Sequence, residues 1–190
     1  MRRRIGERIL SKIKELDFIV NNKNRNRGFS LIEIIVTIAV MAIVIGATMS
    51  IYSWIKSHRI KNIAENISDA IGDVRTKTLS KEGSYELIIR KNTSGKYEAV
   101  ISSTSGSETN VIGNVGTISC TSDDGLTEYK VGTDYEIHLV FNKSDGSFST
   151  IKVKKSDGTL LNIKNEIHIE YAGLSKNIKL KELTGKHYIE

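Results

Sequence analysis

One uninterrupted apolar run constrains this chain more than any other feature. From Ile34 to Ile55 there are 22 consecutive residues with no charge and no proline. As an α-helix, a run of this length extends about 33 Å, enough to cross the roughly 30 Å hydrocarbon core of a bilayer. A single carboxylate, Glu33, stands at its start. Since a lone acid at a membrane edge is costly without a partner, the sequence predicts a membrane helix that begins with a functional acid.

The residues just before this run carry a family resemblance. The sequence Arg-Gly-Phe-Ser-Leu-Ile-Glu at 27–33 resembles the processing site of type IV pilins and type II secretion pseudopilins. The resemblance implies that a prepilin peptidase cuts after Gly28 and methylates the new N-terminal residue, Phe29. It also implies that Glu33, the fifth mature residue, acts in assembly. The alternative is an ordinary signal-anchor helix in which this glutamate is accidental.

The net charge is confined to the segment before the helix. Of 28 Lys/Arg and 22 Asp/Glu residues, nine and three lie in residues 1–28, which leaves 19 of each sign in residues 29–190. Cations clustered just before a membrane helix keep that end in the cytoplasm and direct the other end outward. The sequence therefore predicts a cytoplasmic leader over 1–28 and a single-pass protein of the inner (cytoplasmic) membrane, with its C-terminal domain outside.

The helical pattern continues past the apolar run. Apolar residues recur every three or four positions, with charged residues between them: Ile60, Ile63, Ile67, Ala70, Ile71 and Val74. This one-sided pattern predicts that the helix leaves the membrane and packs an apolar stripe on a folded domain. Gly83 is predicted to end the helix with a glycine cap.

After Gly83 the apolar period changes to two. The alternation predicts strands around 85–89, 97–101, 135–141, 151–153 and 167–171, and short strands within long loops over 102–134. Ser-Asp-Gly turns at 144–146 and 156–158 predict two hairpins. The predicted fold class is α+β, a long N-terminal helix packed on an antiparallel β-sheet or sandwich. The predicted parts are the leader (1–28), the assembly helix (29–55), its amphipathic continuation (56–83) and a β-rich head domain (84–190).

Cysteine usage bears on the subtype. Cys120 is the only cysteine, so no intrachain disulfide can form. Many major pilins close a C-terminal loop with a disulfide, so the resemblance implies that this region docks in another way or that the chain is a minor subunit. The polar surroundings of Cys120 predict a free surface thiol, whose replacement by serine changes stability by no more than about 1 kcal/mol.

A looser resemblance, in residues 141–146 and 183–186, is to the H-type minor pseudopilins with an Ig-like β-sandwich.

Two features of the first helix are predicted to act in assembly. Once Phe29 is a free N-terminus, its ammonium can pair with Glu33 of a neighbouring subunit. At about 4 Å and an effective dielectric near 20 the attraction is on the order of 4 kcal/mol, comparable to the roughly 3 kcal/mol cost of inserting a charge. The alternative is a helix-start acid that the helix dipole satisfies. Ala42, Gly46 and Ser50 form a stripe of small side chains that permits close helix packing, although Gly46 can equally be incidental.

No catalytic constellation or cofactor motif stands out in the sequence. His138 and His168 are predicted to face away from the core as solvated residues near Glu136 and Glu170, rather than to bind a metal. The Asp-Asp-Gly sequence at 123–125 is predicted to be a turn rather than a calcium loop. The chain is therefore expected to be no enzyme and to use no cofactor or metal.

These features predict the precursor of a minor pilin or pseudopilin, assembled into a type IV pilus or type II secretion-like filament. The expected partners are prepilin peptidase, other pilin or pseudopilin subunits and the membrane. Two alternatives stay open, a signal-anchored extracellular domain of unrelated function and a competence-type minor pilin that contacts DNA. A DNA-contacting basic face would use Lys152, Lys154, Lys155, Lys176, Lys179, Lys181 and Lys186.

Overall fold

The computed structural model describes residues 29–80 and 83–190, and it confirms the α+β class. The chain divides into two compact units, Met1–Ser50 and Ile51–Glu190. The predicted leader lies outside the described residues. Helix α1 runs from Leu31 to Ser80, so its first part belongs to the first unit and the rest to the second. It ends before Gly83; the predicted cap involves residues 81–82, which are not described.

The second part of α1 packs as its periodicity predicts. All six residues of the apolar stripe are buried, and Ala64 and Thr78 join them on the same face. Removing such a face from water stabilises the packed helix by about 25 cal/mol per Å² of apolar surface. Burial of this stripe therefore explains why the amphipathic half of α1 is part of the globular unit.

Eleven strands follow α1 in the described residues. They are β1 (Tyr85–Lys91), β2 (Tyr97–Ser103), β3 (Gly106–Gly113), β4 (Thr117–Thr121), β5 (Glu128–Lys130), β6 (Tyr135–Phe141), β7 (Phe148–Lys155), β8 (Leu160–Asn162), β9 (Glu166–Tyr171), β10 (Leu174–Lys181) and β11 (Lys186–Ile189). One sheet has the order β3-β2-β1-β6-β7-β8 and the other β11-β10-β9-β4-β5. Both sheets are antiparallel, and their inner faces share one hydrophobic core with α1.

The five predicted strands, both hairpins and the presence of short strands within 102–134 are confirmed, but the long loops predicted around those strands are wrong. That region contains β3, β4 and β5 with short connections. Strand β3 could not be located from the apolar pattern of the sequence. It lies at the edge of a sheet, and its first six residues are exposed and need no apolar alternation. The strand pairs β9–β10 and β10–β11 were likewise not foreseen.

Cys120 is not a surface residue. Its side chain is 0% exposed in β4, which lies between β9 and β5, and it is a free thiol. Desolvation by burial raises the pKa of this thiol far above its ordinary value. The prediction of a surface cysteine was wrong because β4 is an interior strand despite its serines and threonines.

Two glycine-containing segments meet beside α1. The carbonyl oxygen of Gly146 accepts a hydrogen bond from Arg75 Nε at 2.9 Å, and Arg75 Nη2 donates to the Thr184 carbonyl at 3.1 Å. At Gly185, φ is +65° and a Cβ would lie 1.6 Å from the Gly146 oxygen. Glycine is therefore required at position 185 both by its left-handed backbone and by the approach of a second chain segment.

Candidate maturation and assembly site

The start of α1 is closed by a reciprocal pair of hydrogen bonds. The Glu33 backbone N–H donates to Ser30 Oγ at 3.2 Å, and the Ser30 backbone N–H donates to Glu33 Oε2 at 3.4 Å. This is a capping box, in which the N-cap serine and the acid three residues later satisfy each other's backbone donors. Sequence reasoning assigned no role to Ser30, although the Ser-x-x-Glu spacing was a visible signal.

An apolar surface follows directly on this cap. Every described side chain from Phe29 to Thr48 is exposed, and Phe29 itself is 79% exposed. Soluble monomers rarely leave contiguous apolar patches larger than about 300–600 Å² in water, so a surface of this kind requires a membrane or a partner. Within the described residues α1 is long and apolar enough to cross a membrane, with a mean hydropathy of 2.6 in its most apolar window.

The predicted packing stripe has space around it. Ala42 is exposed, and a Cβ added at Gly46 would meet nothing within 4 Å. The side chain of Ser50 lies outside the description. Within the chain no contact uses the described part of this stripe, and its role in helix packing stays a prediction.

Comparison with protein families adds the deciding observation. Residues 23–49 match the prokaryotic N-terminal methylation motif, an interval that includes Gly28, Phe29, the capping box and the apolar start of α1. The chain carries the prepilin-type motif that marks the type IV pilin and pseudopilin family. Comparisons with curated proteins and with solved structures give no significant match. The H-type subtype therefore stays a prediction.

In the head domain, His138 differs from its prediction. It points away from the core, as expected, but is only 5% exposed. Its Nδ1 lies 2.5 Å from Glu86 Oε1, and its Nε2 lies 3.5 Å from Glu136 Oε2. The alternation predicted the direction of the ring and the proximity of Glu136, but the cross-strand neighbour Glu86 that covers it was missed. The described residues contain no group of three or more His, Cys, Asp and Glu that could hold a metal.

The remaining polar candidates form local structural contacts. His168 is partly buried, and its Nδ1 lies 2.9 Å from Asn177 Oδ1 on β10. The Asp-Asp-Gly sequence is a turn, as predicted, in which Asp124 accepts hydrogen bonds from the Ser122 hydroxyl and the Leu126 backbone N–H. These bonds lower the pKa of Asp124 below its ordinary value. Both sites are explained by strand pairing and turn formation.

The seven lysines considered for DNA binding are divided between the two sheets. Three lie on β7 in the first sheet, and four lie on β10 and β11 in the second. Lys179 pairs with Glu190 at 2.7 Å, and Lys155 pairs with Asp157 at 3.3 Å. The unpaired cations are therefore fewer than the sequence indicates, and DNA contact stays a prediction without added support.

Proposed function

We propose that this protein is the membrane-inserted precursor of a filament subunit, processed by prepilin peptidase and assembled into a type IV pilus or type II secretion-like pseudopilus. The observation that carries the proposal is the coincidence of the methylation motif with an exposed apolar helix whose first acid is Glu33. The protein acts as a structural subunit rather than an enzyme.

Cleavage changes the electrostatics at the start of α1. In the precursor, Glu33 caps the Ser30 N–H through a 3.4 Å contact, which is long for a hydrogen bond. Removal of residues 1–28 creates a primary ammonium on Phe29, and its N-methylation gives a secondary amine that stays protonated and positively charged. The carboxylate of one subunit can then neutralise the N-terminus of another at the membrane edge, which favours the assembled state over a lone subunit.

The far end of the apolar run supports a membrane boundary. Tyr52 and Trp54 are both mainly exposed, and Lys56 Nζ lies 4.2 Å from the centre of the Tyr52 ring. Aromatic rings followed by a cation are typical of the level where a helix leaves the hydrocarbon core. This arrangement supports a membrane boundary near Lys56, and the cations clustered in residues 1–28 support an orientation with the head domain outside.

The predicted role as a minor, rather than a major, subunit has less support. The predicted minor role was inferred in part from the missing disulfide, but β11 pairs with β10, and the Glu190 backbone exchanges hydrogen bonds with Asn177. These contacts hold the C-terminus in place without a disulfide. They therefore correspond to the first alternative from the sequence, in which the C-terminal region docks in another way. A minor role therefore stays a prediction, and a homopolymeric filament is compatible with the fold.

Processing provides the direct test. Co-expression with a prepilin peptidase should shorten the chain by 28 residues and leave N-methyl-Phe29, as measured by intact-mass and N-terminal peptide mass spectrometry. Gly28→Val should abolish cleavage, because a β-branched side chain blocks close approach to the scissile backbone. Gly46→Val is the matched control, since there is space for a side chain at that position and cleavage should proceed. A leader that remains attached in cells with active peptidase would overturn the proposal.

A further inference from the structure

The packed part of α1 lies between two open sheet edges. On one flank, Asn66 Nδ2 donates to the Ile112 carbonyl of β3 at 2.9 Å. On the other flank, the Ser68 hydroxyl lies 2.9 Å from His187 Nε2 of β11. Strands β3 and β11 are the outermost strands of their sheets, so each flank of the helix continues into a strand that has an unpaired side.

The flank formed by α1 and β3 carries excess negative charge. Lys77 lies between two acids, 2.9 Å from Asp73 and 2.7 Å from Glu108. Asp69 has no cation within 4.0 Å among the described residues. Lys77 and these three acids together therefore have a net charge of two negative charges. A cavity of about 240 Å³ opens beside them, lined in part by Asn66, Asp69 and Asp73. We call this surface the acidic flank.

The flank formed by β10 and β11 carries excess positive charge. Lys181 stands directly opposite Lys186 in the strand register, an arrangement of like charges that destabilises a strand pair. Neither lysine has a carboxylate within 4.0 Å among the described residues, whereas neighbouring Lys179 is paired with Glu190. Tyr188 is partly exposed, and its ring centre lies 5.6 Å from Lys181 Nζ. We call this surface the basic flank.

We propose that the acidic flank of one copy docks on the basic flank of a second copy of this chain. The inference rests on the proposed function, because copies inserted in one direction have parallel helices and can meet flank to flank. Contact between identical flanks would bring like charges together, whereas contact between unlike flanks neutralises both. Such a contact is heterologous, so it repeats from copy to copy and builds an open assembly rather than a closed dimer.

Cysteine cross-linking in the full chain tests this arrangement. A variant with Asp69→Cys and Lys186→Cys, co-expressed with prepilin peptidase, should form intermolecular adducts with a short bis-maleimide in whole membranes. The native Cys120 is buried and should remain unmodified. The matched control carries Asp157→Cys with Lys186→Cys and should give no ladder, because Asp157 is exposed in the turn before β8, at the edge of the first sheet opposite β3.

A charge exchange tests the cause of the contact. In the background of the two reporter cysteines, Asp73→Lys with Glu108→Lys makes both flanks basic, and Lys179→Glu with Lys181→Glu makes both acidic. Each variant alone should cross-link at least about fivefold less, because charge pairs at an interface rim contribute modestly and are now repulsive. Co-expression of the two variants, with one reporter cysteine on each, should restore the adduct. The restored signal should weaken as salt is raised.

A separate cross-link within the membrane distinguishes failure of this inference from failure of the proposed function. Ile45→Cys reports helix–helix contact, since Ile45 is exposed on α1. If the Ile45 adduct forms and the flank adduct does not, the docking proposal is overturned while the filament role stands. If neither adduct forms, both are overturned. Flank adducts that are unaffected by either charge reversal would also overturn the proposed charge complementarity.

Discussion

At Cys120 a thiol occupies a fully buried position in an interior strand. Cys120→Ser should lower the free energy of unfolding of the head domain by about 1–3 kcal/mol, because serine buries a hydroxyl that needs a hydrogen-bond partner. Chemical denaturation of the detergent-solubilised chain, followed by near-ultraviolet circular dichroism, measures the loss. The exposed Ser175→Ala is the control and should stay within about 0.5 kcal/mol of the wild type. Equal stability of the two variants would contradict the burial of Cys120.

Features formed by residues close together in the sequence could be predicted, whereas contacts between distant residues could not. The spacing of Gly28, Phe29 and Glu33 was sufficient to predict the family motif, because that signal is contiguous. The cap made by Ser30 was equally local and was overlooked. The contact between His138 and Glu86 was not accessible, since the two residues are 52 positions apart and meet only through the pairing of β1 with β6.

Among the structural elements, the Asp-Gly hairpin turns depend on ionised carboxylates. Hydrogen bonds from the Thr159 side chain and backbone lower the pKa of Asp157 from 3.8 to about 2. A lowered folded-state pKa means that this stabilisation is present above pH 3.8 and is lost as the pH falls toward 2. The difference in melting temperature between the wild type and Asp157→Ala should therefore shrink over that interval. Ser175→Ala, which removes no ionisable group, is the control, and its difference in melting temperature from the wild type should not depend on pH over that interval.

The spacing of apolar residues along the chain predicted the helix and strands that bury one face and expose the other. The stripe of α1 and the five alternating strands are all confirmed, although β2 and β6 each bury three consecutive residues and so lack a fully exposed face. The edge strand β3 does not have one buried and one exposed face, because it is exposed over most of its length. The edge strand β11 does alternate in burial, but its four residues are too few to give a clear period. Which strand lies beside which is set by contacts distant in sequence, and a single sequence does not encode that order in any local pattern.

For the whole molecule, the decisive question is whether Glu33 acts within one chain or between chains. Glu33→Gln separates the two roles, because glutamine also forms a capping box but carries no charge. Cleavage after Gly28 should therefore continue, and membrane insertion should be unchanged or slightly better. Incorporation into filaments should fall, because the Phe29 ammonium of a neighbouring subunit loses its counter-charge in a low-dielectric setting. Mass spectrometry measures cleavage, and the amount of subunit in sheared or cross-linked filaments measures incorporation.

The reciprocal variant tests the cap alone. Ser30→Ala removes the hydroxyl that accepts from the Glu33 N–H but keeps the carboxylate, so it should weaken the start of α1 by about 1 kcal/mol and leave incorporation largely intact. Glu33→Asp should be intermediate in incorporation, since its carboxylate is one methylene short of the neighbouring ammonium. If Glu33→Gln were cleaved and assembled like the wild type while Ser30→Ala failed to assemble, Glu33 would serve only as a capping residue. The charge pair between subunits would then play no part in building the filament.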